Sequence, residues 1–159
     1  MEYLKLQTGA SLLHIPYRGT APAVNDLLAG QLQAIFTGTP ALLPHIKAGK
    51  LRALAVSSRR RIASLPEVPT VAESGVPGTQ DFEADQWYGV AAPAATPAPI
   101  VAMINQQINR SLDSVEVRAR LAAEGAEATP ATPQVFGQLI ASEMVRWERV
   151  IKAARITVD

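Results

Sequence analysis

Two stretches of this chain share one layout: a short apolar run, a glycine, a threonine, then a proline. In the first, residues 12–15 (Leu-Leu-His-Ile) break at Pro16, a tight turn follows at Gly19, and Thr20 precedes Pro22. In the second, residues 33–36 run into Thr37-Gly38-Thr39-Pro40. Ser or Thr at a cap with Pro just inside is a helix-start signal. Each stretch therefore reads as a buried strand, a glycine turn and a helix, with Thr20 and Thr39 expected at the caps. The first helix covers 21–29, places Val24, Leu27 and Leu28 on one face, and stops at Gly30. The second runs to Ala48 and stops at Gly49, and residues 51–56 form a third apolar run. A β-α-β-α-β alternation with connections this short is expected to be a parallel sheet flanked by helices, an α/β fold.

The layout has a chemical consequence. The first N–H groups of a helix lack intrahelical acceptors, and the helix dipole favours negative charge beside them. A helix that starts at the carboxyl end of a strand can thus hold a carboxylate or a phosphate without a charged side chain. No general base, Gly-x-Ser-x-Gly elbow, HExxH or Walker motif accompanies these loops. The reading is a binding device and not an enzyme, with no cofactor and no metal. His14, set in an apolar run, and His45, beside Pro44, read as structural.

Composition narrows the partners. A net charge of +1 over 159 residues leaves no electrostatic case for nucleic acid. Arg59-Arg60-Arg61 reads as a solvated loop after a strand. The absence of cysteine removes disulfides and thiolate chemistry. The longest apolar stretch, 90–104, is interrupted by Pro93, Pro97 and Pro99, so no membrane span is expected. Residues 1–6 show no signal-peptide pattern and read as the last turns of a helix ending at Thr8-Gly9.

Beyond residue 56 the chain changes character. Residues 62–78 are punctuated by Pro and Gly, with one short helix expected at 71–74. Residues 82–92 read as extended around Trp87-Tyr88-Gly89-Val90, and 93–97 as a linker. Three helices follow, over 99–112, 115–123 and 133–154, with a short strand expected at 126–129. Ile100, Ile104, Ile108 and Leu112 recur every four residues in the first of these, and Phe136, Leu139, Ile140, Met144, Trp147 and Ile151 line the last. Trp147 is assigned to the core. These apolar faces need cover that the chain's few strands do not supply.

The runs HIPYRGTAPAVNDLLAGQLQAIF, LPHIKAGKLRALAVSSRRRIASLPEVPTVAESGVPG and QWYGVAAPAATP resemble the Bug, or tripartite tricarboxylate receptor, family of periplasmic solute-binding proteins. The resemblance implies a type II periplasmic-binding clamshell that captures a small carboxylated solute between two lobes for a tripartite membrane transporter. It implies that residues 1–84 are lobe two without its start, 85–98 a hinge crossing segment, and 99–159 helices that pack on lobe one. On this reading the chain is the C-terminal portion of a receptor, periplasmic by resemblance. Tyr17, Gly19, Thr20 and Ala21 match the lobe-two carboxylate loop, where the backbone N–H groups of 19–21 and the Thr20 hydroxyl would donate. Thr37 and Gly38 match a second cleft loop, with Thr37 where family members often carry Asp. Trp87 lies where the chain recrosses the hinge and would wall the cleft. The alternative expectation is a remnant that self-associates through exposed helices, a homo-oligomer with no transport role.

Overall fold

A computed structural model describes residues 1–156. The chain divides into two compact units, Met1–Gln86 and Trp87–Asp159. The first carries three helices: α1 (Glu2–Thr8), α2 (Thr20–Leu28) and α3 (Thr39–Lys47), followed by a single 3₁₀ turn at Ala72–Ser74. The second carries α4 (Ala98–Asp113), α5 (Val115–Ala123) and α6 (Pro133–Ala154). Helix existence and length follow the sequence periodicity closely. Pro and Gly set the boundaries: α1 ends at Gly9 in the left-handed conformation, and Pro133 opens α6 behind the Thr132 cap.

The expected strands are where local pattern falls short. Residues 12–15, 33–36, 51–56 and 126–129 form no strand, and among the described residues the only ladder contact is an isolated parallel bridge, Val56 to Thr70. Val56 N–H donates to the Pro69 carbonyl at 2.9 Å, and Val71 N–H donates to Val56 O at 2.8 Å. A strand exists only with a neighbour in register, and no two of these four segments pair. The apolar run 12–15 is therefore exposed: Leu13 is 88% accessible. His14, read as structural in a buried strand, is exposed as well, and its Nδ1 lies 3.3 Å from Glu2 Oε1.

The first unit has two packing centres. Leu43, Leu65 and Val68 are buried together, with Ile46, Ala53, Val56 and Ile62 against them. Phe82 is buried beneath Tyr3, with stacked centroids 4.8 Å apart, and meets Phe36 edge-on at 6.2 Å. The turn at 70–74 is a reciprocal capping box. Thr70 N–H donates to Glu73 Oε2 at 2.7 Å, and Glu73 N–H donates to Thr70 Oγ1 at 3.1 Å. Arg61 Nε adds a 3.1 Å ion pair to the same carboxylate, and Arg59 pairs with Glu83 at 2.6 Å, so two of the three loop arginines are partnered. The Thr70 N–H first, then Arg61, hold the Glu73 carboxyl below its ordinary pKa.

In the second unit Ser114 ends α4 and caps α5, its Oγ accepting from Val117 N–H at 3.2 Å. The entry to α6 is pinned by two asparagines of α4. Asn105 Nδ2 and Asn109 Nδ2 donate to Ala131 O at 2.8 and 3.1 Å, and Asn109 Oδ1 accepts from Ala131 N–H at 3.3 Å. Trp147 is half-buried, not core, and its Nε1–H donates to Glu143 Oε2 at 2.7 Å. An indole N–H needs an acceptor, and the buried Glu143 supplies it.

Candidate functional site

The candidate site is built from the starts of α2 and α3. Gly19, with φ 106 and ψ 172, is the N-cap of α2, so Thr20 is the first helical residue and not the cap expected from the sequence. Gly38 likewise caps α3 in place of Thr39. Neither cap uses a side-chain hydrogen bond. A glycine at the cap leaves the helix start bare of side-chain oxygen, so the adjoining N–H groups are not already occupied by their own cap. Helix geometry leaves the Thr20 and Ala21 N–H groups of α2, and the Thr39 N–H of α3, without intrahelical acceptors. Pro22 and Pro40 have no N–H to offer.

The two starts lie side by side. Released from capping, the Thr20 hydroxyl sits 3.4 Å from the Thr37 hydroxyl, and either oxygen can donate. Residues 17 apart in sequence thus place two hydroxyls and two positive helix ends at one location, with no charged side chain in the pair. Both dipoles favour an anion there.

The loop leading into α2 is tied to its own helix. Tyr17 OH donates to Asp26 Oδ2 at 2.7 Å. This hydrogen bond favours the neutral phenol and raises the Tyr17 pKa above its ordinary value. Asp26, read from the sequence as solvated or locally paired, is the local partner. Ala21 and Arg18 are exposed.

At the second loop the sequence does not single out Gln86. A Cβ added to Gly38 would collide with the Gln86 carboxamide. Gly38 has φ −62, so its backbone does not require glycine, and the missing side chain makes room for the amide. Forty-eight positions separate the two residues, and no local pattern joins them. Trp87 is described within the second unit. It is 40% accessible, and its ring meets Phe136 edge-on at 5.4 Å.

The sequence pattern described as Tripartite tricarboxylate transporter family receptor matches residues 1–156. Protein BugT of Bordetella pertussis is 43% identical over 151 residues, which span 95% of this chain and 45% of that protein. Among solved structures, an R. palustris protein with adipate shares 36% identity at TM-score 0.87, over 98% of this chain and 51% of the other. MatC from Rhodopseudomonas palustris, with bound malate, shares 35% identity at TM-score 0.79, over 93% and 50%. A structure described as periplasmic binding protein BugD shares 34% identity at TM-score 0.82, over 98% and 52%. The chain thus spans about half the length of these relatives. Its α/β lobe fold is that of the solved members, although its apolar segments form no sheet among the described residues. No helix among the described residues is long and apolar enough to cross a membrane. From its first residue to Ile156 this chain belongs to the tripartite tricarboxylate transporter receptor family, a family of solute receptors.

Proposed function

We propose that the chain is the carboxylate-holding lobe of an extracytoplasmic solute receptor, periplasmic like its relative BugD, that takes up a small di- or tricarboxylate for a tripartite membrane transporter. The observation that carries this reading is the 3.4 Å approach of the Thr20 and Thr37 hydroxyls at two adjacent helix starts. Solved relatives that hold adipate and malate support the class of ligand. In this reading the N–H groups of Gly19, Thr20 and Ala21 receive one carboxylate, the Thr20 and Thr37 hydroxyls add donors, Tyr17 holds the loop, and Gly38 gives access beside α3. Trp87 belongs to the crossing segment, residues 85–98. Residues 1–84 form lobe two, and 99–159 are helices that pack on the other lobe. In this reading the site binds and does not catalyse: the Thr20 and Thr37 hydroxyls meet each other, and a threonine hydroxyl without an activating base is a hydrogen-bond donor and not a nucleophile.

The test is a thermal-shift and calorimetric titration of this chain with adipate, malate and citrate. Binding to the folded state raises the melting temperature by mass action. The expected result is a shift with at least one acid that disappears in Thr20→Ala and Thr37→Ala together. A shift that survives the double substitution removes these helix starts from the site. Because one lobe encloses a ligand poorly, the expected affinity is weak.

A further inference from the structure

The carboxamide of Gln86 stands where residue 38 would put a side chain. A Cβ built onto Gly38 would meet Gln86 Oε1 first, with Cδ at 3.0 Å and Nε2 at 3.5 Å behind it. The amide therefore presents its oxygen to the cap of α3. Gly38 has φ −62 and ψ 140, the extended backbone of an ordinary N-cap, and as a glycine it has no side-chain oxygen of its own. From that backbone a Ser, Asn or Asp would direct its oxygen at the first N–H groups of the helix. Gln86 brings an oxygen to the same place from far along the chain.

Donors are scarce at this helix start. Pro40 has no N–H, and Ala41 N–H is turned to the Gly38 carbonyl at 3.3 Å. Within the first turn that leaves Thr39 N–H for an acceptor from outside the helix. One N–H cannot point straight at two oxygens. An amide oxygen held at the cap and a ligand carboxylate at the same helix start are therefore competitors.

We propose that the Gln86 carboxamide is a built-in stand-in for a carboxylate at the start of α3, and that the ligand's own carboxylate displaces it. The inference rests on the carboxylate reading of the α2 and α3 starts. The exchange runs in the ligand's favour. A hydrogen bond from N–H to an ionised oxygen is about twice as strong as one to a neutral oxygen, and the helix dipole rewards the charged acceptor. The amide has a different advantage: it is tethered to the fold, so it holds the place when no acid is bound. It leaves by rotating a long unbranched side chain, with no backbone change. Gln86 is also the last residue of the first unit, so the exchange moves the side chain at the point where the chain leaves that unit. The device makes the site selective by threshold: an acid must outcompete the amide before it gains the α3 start.

The experiment titrates the whole chain and two variants with adipate, malate and citrate in a calorimeter, and melts each protein without ligand. Gln86→Ala removes the competitor, so the affinity for the acid that binds should rise about 2–10-fold, the worth of one hydrogen bond. Gln86→Glu puts a charged carboxylate in the amide's place, so the affinity should fall about tenfold or more. Without ligand the order of melting temperatures should be Gln86→Glu above the unsubstituted chain and Gln86→Ala below it, with Gln86→Glu higher by about 1–8 °C. Weaker binding by Gln86→Ala would make the amide a ligand contact and overturn the proposal, and unchanged binding overturns it too. A Gln86→Glu variant that melts no higher than the unsubstituted chain also overturns it, because the oxygen then does not serve α3. Failure of the carboxylate reading looks different: no acid binds the unsubstituted chain or either variant, and the exchange falls with it.

Discussion

Replacing Gly19 by alanine separates backbone conformation from steric space. At Gly19 φ is 106 and ψ 172, a region that side-chain-bearing residues almost never enter. A Cβ built there meets nothing within 4 Å, so the substitution fills no contact and creates no clash. The whole cost is conformational, about 1–3 kcal/mol. With a urea slope of about 1–2 kcal/mol/M for a unit of this size, the midpoint should fall by about 0.5–3 M. If the loop instead relaxes, the α2 start turns away from Thr37 and carboxylate binding weakens while the midpoint recovers. Gly38→Ala is the matched control. Its φ of −62 suits any residue, and its Cβ displaces only the flexible end of Gln86, so stability should change by less than about 1 kcal/mol. The measurement is urea unfolding of both variants beside a dicarboxylate titration. A Gly19→Ala variant with wild-type midpoint and wild-type affinity would refute the reasoning, because one of the two must register the strain.

Three further outcomes are expected. Leu43→Ala should cost about 2–5 kcal/mol in chemical denaturation, since Leu43 is 2% exposed at the centre of its cluster and its loss leaves a cavity among Leu65, Val68 and Ile46. Glu73 should make the fold acid-sensitive. Its carboxyl is held below the ordinary 4.5, so its contribution is complete above that value and disappears as pH falls through the lowered one. Urea midpoints measured on acidification should fall less steeply in Glu73→Gln, and parallel curves would refute the role. Tyr17→Phe removes the 2.7 Å hydrogen bond to Asp26 and should lower dicarboxylate affinity several-fold without moving helix content by circular dichroism. Unchanged affinity would show that the loop holds its shape without the pair.

Local chemistry was enough to place every helix within a residue or two. Gly9, Gly30 and Gly49 close α1, α2 and α3 in left-handed backbone, and Ser114 and Thr132 cap α5 and α6 through their own hydroxyls. The family was legible in the same way, because its motifs are contiguous runs of residues. Features that join distant residues were not. Thr20 reads as a cap from sequence because threonine before Ala-Pro is a good one, yet Gly19 takes that place and the hydroxyl turns to Thr37. The proximity of Gln86 to Gly38, and the asparagine clamp from α4 onto Ala131, leave no local trace. The strands failed for the same reason. A helix closes its hydrogen bonds within four residues, so composition and caps determine it. A strand closes them on another segment, so the apolar runs at 12–15, 33–36 and 51–56 could state a tendency, while only tertiary pairing decides whether it becomes a sheet.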